Sequence, residues 1–445
     1  MNFITEPAKK IPVCYEADVC VVGGGTCGVA AAVRAAKLGA KVVIIEKNNR
    51  FGGVATTGLV NIWHSFYDID QKEQIIAGFS EEVMTPMLKE GTAVYFPQNK
   101  NFVFNPEELT VVLDKIVLQN NIKVYFHTYY AGLLCEDAHI QAVIVENKDG
   151  RSAIKAKFFI DATGDGDLAR DLGLESYVNE GIQPSSACFF MQGDVSYADF
   201  AELIGAHGEE FELDNDWGWD CWIPQLENIA MRADSHIKGL MCNKADDLTQ
   251  AEFIGRRQTS GFQKLMRKYQ NPECALVNTC SEIGIRETVH YRTKFQANEY
   301  ELLTGKRYED AIVQGTYNID IHHPDGVGIT FKHLTGEMEI YHGKDCKPIL
   351  RNWRDEMDNP PPIAKFYQAP FAMLVQEKIA NFIPVGRMIN ADNGAFGALR
   401  VMVNLNQMGE AAGVAAVDAI DQGIAIQQIS GVKVREMLKK GGSAL

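Results

Sequence analysis

A short apolar run, Asp18 to Val22, leads into three successive glycines, an alanine-rich stretch "VAAAVRAAKLG" and a second apolar run "KVVIIE". β-branched runs of this length predict two buried strands, and the alanine-rich stretch between them predicts a helix that stops at Gly39. "NPEELTVVLDKIVLQNN" has the spacing of an amphipathic helix. "KVYFHTYYAGLLCED" and "HIQAVIVENKDG…KAKFFID" predict strands, with Lys148-Asp149-Gly150 as a turn between two of them. "FFIDATGDGDLARDLG" reads as a strand ending at Asp161, then a glycine-rich turn that opens a helix. "AEFIGRRQTSGFQKLMRKY" predicts another helix. Near the C-terminus, Phe382–Val385 predicts a strand, followed by Gly386-Arg387, a turn-rich loop with Asp392, Asn393 and Gly397, and a long helix beginning near Arg400. Gly409, Ala412, Gly413 and Ala416 would form its close-packed small face. The prolines of "RDEMDNPPPIAKFYQAP" resist regular structure, and the tail "KKGGSAL" is expected to fray.

Gly23, Gly25 and Gly28 have G-x-G-x-x-G spacing between the first predicted strand and its helix. In such a unit the first glycine permits the tight turn, the second lets a pyrophosphate approach the main chain, and the third lets the helix lie close to the strand. Bare N–H groups and the helix dipole then hold the phosphates. Glu46 ends the second strand eighteen residues past Gly28, near the ~20 expected of an acid that accepts from a ribose 2′-hydroxyl and repels a 2′-phosphate. The alternative is a glycine-rich loop in some other α/β protein.

The fingerprint serves both FAD and NAD, and three segments favour FAD. "EKNNRFGGVATTG" is a second bare-backbone loop where an NAD domain would normally continue into its next helix and strand. The other two are "FFIDATGDGDLARDLG" and "NFIPVGRMINADNGAFGALRVMVNLNQMGEAAGVAAVDAI". No second G-x-G-x-x-G follows a strand, so a separate NAD(P)H domain is not expected. The lack of a C-x-x-C argues against disulfide reductase chemistry.

With "EIGIRETVHYRTKF" and "IDIHH" added, the chain resembles the FAD-dependent oxidoreductases of the broad glutathione-reductase and succinate-dehydrogenase superfamily. Within it, the chain is similar to the bacterial group labelled only FAD-dependent oxidoreductase. The resemblance implies an α/β fold: a Rossmann-like FAD-binding domain, with a parallel sheet, helices and a small antiparallel sheet, and an inserted α+β substrate domain. The expected FAD-binding domain is discontinuous, 12–64, 100–182 and 365–432, and 183–364 is the expected substrate domain.

The resemblance also implies site residues. Gly23, Gly25, Thr26, Cys27 and Gly28 cradle the pyrophosphate, and Glu46, with Lys47 beside it, serves the adenosine ribose. Gly53, Ala55 and Thr56 border the phosphates and flavin, and Tyr130 offers backbone to adenine. Thr163, Gly164 and Asp165 close over the cofactor, and Asp392 approaches the ribityl or phosphate region. Gly397, Leu399, Arg400 and Val401 lie at the pyrimidine edge. There a helix start and Arg400 would stabilise the negative charge of a reduced flavin and raise its reduction potential. Many relatives carry further basic residues after "GIRET", where this chain has Val289-His290-Tyr291, so an anion-binding role for that segment loses support.

His64, Arg286 and His322 are the catalytic candidates. His64 follows the second glycine loop and either faces the ring or is a polar loop histidine. Arg286 and Glu287 either anchor an anionic or hydroxyl-rich substrate or form a structural ion pair, and His290 and Arg292 share that ambiguity. Asp320 and His322, two apart, share a face if the stretch is a strand, as a base and its orienting carboxylate would. Trp217, Trp219 and Trp222 line a ring-binding surface or, the preferred reading, cover a domain joint. Cys27 fits the turn sterically rather than acting as a nucleophile. The sequence marks out no metal-ligand set.

Composition narrows the classes further. The 445 residues are 46% hydrophobic and 23% charged, with a formal net charge of −15, which disfavours nucleic acid and anionic membranes as partners. No run of about twenty apolar residues predicts a membrane span, and the N-terminus lacks signal-peptide order. Ten scattered cysteines read as free thiols in a reducing compartment, hence the cytoplasm. The expected function is a flavoprotein oxidoreductase that uses non-covalent FAD on a small organic substrate and passes electrons to an unidentified acceptor. A homo-oligomer stays open, as do two alternatives: an NAD-dependent dehydrogenase and a flavin-binding module without turnover.

Overall fold

The apolar run ahead of the glycines is the end of a ten-residue strand, Val13–Val22, whose last four residues are buried. In the computed structural model, which describes residues 3–96, 98–193, 197–324, 326–343 and 347–445, this strand is the centre of the main sheet. It pairs in parallel with Val42–Ile45 on one side and with Gly150–Asp161 on the other. Lys123–Tyr125 extends the sheet beyond Val42–Ile45, and Phe382–Pro384 pairs in parallel with the last residues of Gly150–Asp161. Strands buried on both faces read as continuous apolar runs, which is why these were recognisable. The first half of Gly150–Asp161 pairs instead with His139–Asn147, in antiparallel register, and that strand pairs with Tyr129–Glu136. One twelve-residue strand thus belongs to both a parallel layer and an antiparallel meander.

Helix Thr26–Lys37 connects the first two strands, and helix Met402–Gln422 packs along it. The small residues of the second helix explain how close this contact is. A Cβ added at Gly409 would lie 2.1 Å from the Cys27 carbonyl oxygen, and one at Gly413 would lie 2.4 Å from that of Ala31. Asn105 caps helix Pro106–Gln119 by accepting from the Glu107 N–H, with proline at the first helical position.

The remaining strands form smaller antiparallel sheets. One runs Trp219–Ile223, Leu226–Ala233, Phe189–Gln192, Ala275–Thr279, and lies in the same part of the chain as the 25-residue helix Ala245–Tyr269. Another runs Ile319–His322, Ile329–Lys332, Glu337–Tyr341, Ile349–Asn352. The fold is therefore mixed α/β, as expected.

Three local expectations change. The turn-rich loop before Arg400 contains a short helix, Asn393–Leu399, because Asp392 caps it and accepts from the Ala395 N–H at 2.8 Å. The segment between residues 64 and 100, left without structure above, holds helix Phe79–Glu90. The tail does not fray: helix Gly431–Lys440 precedes it, Arg34 donates to the Gly441 carbonyl at 2.6 Å, and the Ser443 N–H donates to the Leu438 carbonyl at 3.0 Å.

The helix contact is testable. Gly409→Ala is expected to lower the unfolding free energy by about 1–3 kcal/mol, the usual cost of overpacking, as a lower urea midpoint at unchanged slope. An unchanged midpoint would contradict the close contact.

Candidate active site

Three of the parallel strands, Val13–Val22, Val42–Ile45 and Gly150–Asp161, end around the glycine turn, where the Gly23 N–H donates to the Ile45 carbonyl at 2.9 Å and the Ala162 N–H to the Val22 carbonyl at 2.8 Å. Gly23 has φ +107°, and a Cβ there would lie 2.3 Å from the Ala162 carbonyl oxygen. Gly28 lies beneath the turn, where a Cβ would meet the Gly23 oxygen at 2.0 Å. Gly25 differs from both: a Cβ there would meet nothing within 4 Å, and among the described residues no side chain caps the helix that starts behind it. The first N–H groups of that helix are left free by helix geometry. Glu46 is buried at the end of its strand and accepts from the Gly24 N–H at 2.6 Å and the Asn48 N–H at 2.8 Å. The second glycine loop docks on the first, with the Gly52 N–H donating to the Gly24 carbonyl at 2.9 Å. Asp161, ending its own strand, builds the third turn. It accepts from Thr163 Oγ1 at 2.7 Å and from the Leu168 and Ala169 N–H groups, and burial raises its carboxyl to about 6.

These turns open onto one cavity of about 970 Å³, the size of a cofactor or ligand site. Of the residues predicted from sequence, Gly23, Gly25, Thr26, Cys27, Glu46, Lys47, Gly53, His64, Tyr130, Thr163, Gly164, Asp165, Arg286, His322, Arg400 and Val401 line it. Gly28, Ala55, Thr56, Asp392, Gly397 and Leu399 do not, for physical reasons. Gly28 supports the turn from below. Ala55 is buried, and the Thr56 hydroxyl donates to the Phe51 carbonyl at 2.6 Å. The Asp392 carboxylate is committed to the Ala395 and Glu299 N–H groups. Gly397 packs on the Asp320 backbone, and Leu399 is in the core.

Away from the glycines, side chains from several segments converge. Strand Ile319–His322 places Asp320 and His322 on the cavity wall, with His322 Nε2 3.8 Å from Asp320 Oδ1. The other Asp320 oxygen accepts from the Tyr317 hydroxyl at 2.5 Å and pairs with Arg400 at 3.0 Å. The His64 ring lies 3.9 Å from that of Tyr317. Arg286 Nη1 donates to the Pro184 carbonyl at 2.7 Å and to Ser186 Oγ at 2.6 Å.

Burial sets the charge states. It pushes the His64 imidazole down to about 3 against the pull of Asp320. It drives His322 well below its ordinary value, reinforced by Arg286. It lifts the Tyr317 phenol well above its usual range, with Asp320 adding to the effect. The result is two neutral imidazoles and a neutral phenol beside one carboxylate and two guanidinium groups.

Tyr317 was missed from sequence, although its place three residues before Asp320 was a signal. Glu287 turns away from the cavity into a buried network with His290 at 2.9 Å and the Gln183 N–H at 2.8 Å. Arg292 lies over the Tyr177 ring. Trp217 and Trp219 line the cavity, whereas Trp222 is exposed and stacks on Phe96. Burial raises the Cys27 thiol far above its ordinary value. No helix among the described residues is long and apolar enough to cross a membrane.

A mitochondrial dihydrolipoyl dehydrogenase from Schizosaccharomyces pombe is 29% identical over 162 residues, covering 34% of this chain and 28% of that protein. The chain therefore spans little more than a quarter of that relative's length. A solved geranylgeranyl bacteriochlorophyll reductase-like protein from Thermoplasma acidophilum superposes with a TM-score of 0.50 at 13% identity, over 96% of this chain and 84% of the other. That likeness concerns the fold alone. The profile described as FAD dependent oxidoreductase matches residues 18–438, nearly the whole chain and every segment of the cavity wall. The chain belongs to that family, the FAD dependent oxidoreductases, whose cofactor is FAD.

Proposed function

We propose that FAD lies non-covalently along the cavity, with a small organic substrate at the end walled by His64, Arg286, Tyr317, Asp320 and His322. The observation that carries this reading is Gly25. It opens on the cavity with no room taken by protein atoms, at an uncapped helix start beside a buried carboxylate. A pyrophosphate needs main-chain amides and a favourable dipole of this kind. Gly23, Gly25, Thr26 and Cys27 would hold it, with Gly53 from the second loop. Glu46 and Lys47 would serve the ribose and Tyr130 the adenine, with Thr163, Gly164 and Asp165 closing over them. Arg400 and Val401, at the uncapped start of Met402–Gln422, would face the pyrimidine edge. In this reading segments 12–64, 100–182 and 365–432 form the cofactor domain and 183–364 the substrate domain.

FAD supplies the hydride or electron transfer when bound. The chain's own residues hold the substrate and manage its proton. His322 is held neutral by burial and, among the described residues, its buried Nδ1 has no hydrogen-bond partner, which makes it the candidate to exchange a proton with a bound substrate. Asp320, 3.8 Å from the other ring nitrogen, would orient the imidazole and stabilise its charged form. His64, also held neutral, packs against Tyr317 and would shape the opposite wall. We also assign the protein to a reducing compartment, the cytoplasm, on the strength of its nine free described cysteines.

Two outcomes are expected. Gly25→Val fills the opening and should weaken FAD binding by about 100-fold or more while the fold, read by circular dichroism, stays intact. Flavin absorbance carried through gel filtration equally by wild type and variant would contradict the assignment. The second outcome concerns pH. The folded protein keeps His64 neutral, whereas the unfolded chain protonates histidine near pH 6.5. Stability from this site is therefore present above pH 6.5 and lost as pH falls toward about 3. Between pH 6.5 and 5 the wild type should lose about 1–2 kcal/mol more unfolding free energy than His64→Gln. Parallel pH curves for the two proteins would contradict the buried neutral imidazole.

A further inference from the structure

Four lysine and arginine side chains line the cavity: Lys47, Arg286, Arg387 and Arg400. Three are paired with a carboxylate. Lys47 pairs with Glu282, Arg387 with Asp165 at 2.7 Å, and Arg400 with Asp320 at 3.0 Å. Arg286 is the exception. Among the described residues its partners are the Pro184 carbonyl and the Ser186 hydroxyl, both neutral and both bound by Nη1. The edge formed by Nε and Nη2 is left for something else, and that edge matches the two oxygens of a carboxylate.

Other carboxylates, among them Asp220, Glu252 and Glu337, line the cavity, but Asp320 is the one carboxylate among the described residues that acts on Arg286, and it is already paired with Arg400. Trp217, Tyr317, Phe331 and His322 share the cavity wall with Arg286, and none of them is anionic there. Around this end two guanidinium groups, Arg286 and Arg400, face one carboxylate, Asp320. A cation held deep in a protein without a counter-ion is unfavourable. The tension is visible in the group itself: burial, then the neighbouring Arg400, push the Arg286 guanidinium down to about 10. One positive charge in excess calls for a monoanion.

We propose that the substrate is a small carboxylic acid, bound as its anion through the Nε–Nη2 edge of Arg286, with its apolar part against Trp217 and Phe331. The proposal rests on the cavity being the flavin and substrate site. It identifies Arg286 as the residue that selects for charge, distinct from the proton-handling groups Asp320 and His322. The anchor places the carboxylate on the wall that carries Ser186, within the same cavity as His64 and His322.

The test uses the FAD-loaded protein and matched probes: propionate against propionamide, and benzoate against benzamide. Binding is read from the perturbed absorbance of the bound flavin and, in parallel, from the thermal shift. At least one acid should bind about tenfold or more tightly than its amide. Arg286→Gln should abolish that preference, Arg286→Lys should restore part of it, and both should keep FAD affinity within about twofold of wild type. Equal binding of acid and amide to wild type, or binding of neither, would overturn the proposal without any variant being needed. So would a preference that survives in Arg286→Gln, or a loss of FAD affinity in that variant without any acid preference in wild type, which would give Arg286 to the flavin. Failure of the wild-type protein to take up FAD would instead sink the cofactor assignment to this cavity. The thermal-shift comparison of acids with amides would still decide the role of Arg286.

Discussion

The structure depends on main chain approaching main chain at the end of the central strand. Gly28 lies under Gly23 closely enough that a single added carbon would stand 2.0 Å from a carbonyl oxygen. Gly409 and Gly413 bring a second helix against the first with similar closeness. These contacts fix where helix Thr26–Lys37 begins. They thereby aim its free N–H groups and the open face of Gly25 into the cavity. Side chains at these positions would separate the helix from the strand, and the amides would no longer converge.

The other end of the cavity depends on a different kind of constraint. Arg400 lies in the two-residue break between helices Asn393–Leu399 and Met402–Gln422, and its ion pair with Asp320 ties that break to strand Ile319–His322. Gly397 packs on the backbone of the same Asp320. A residue from the middle of the chain and one from near its end are thus held together. The cost of taking their charges out of water is offset by pairing and by the Tyr317 hydroxyl. The same burial keeps His64 and His322 uncharged, so neutral bases stand beside a local group of two guanidinium groups, Arg286 and Arg400, and one carboxylate, Asp320. This is a setting for handling a proton and an anion together.

The parallel layer was legible because strands buried on both faces are continuous apolar runs, and because glycine spacing has a steric meaning that can be read without coordinates. Asp161 and Glu46 were legible as acids closing strands, although Asp161 proves to organise a turn rather than face the cavity. Helix Asn393–Leu399 was not legible: glycine and asparagine lower helix propensity, and the Asp392 cap with packing on Ile319–His322 overrides it. The docked tail depends on Arg34, about four hundred residues away in sequence, which local patterns do not register. Tyr317 and the lone state of Arg286 are properties of convergence. They come from segments near residues 184, 286, 317 and 400, whose meeting is set by tertiary packing.

The central claim is that one FAD molecule spans the cavity from the amides behind Gly25 to the helix start at Arg400. A crystal structure of the protein grown with FAD tests it most directly. The account predicts density for the pyrophosphate against the N–H groups of Gly25 to Cys27, and for the ring system beside Arg400 and Val401. Density for FAD elsewhere on the protein, or a ring system far from Arg400 with the Gly25 amides facing only solvent, would contradict it.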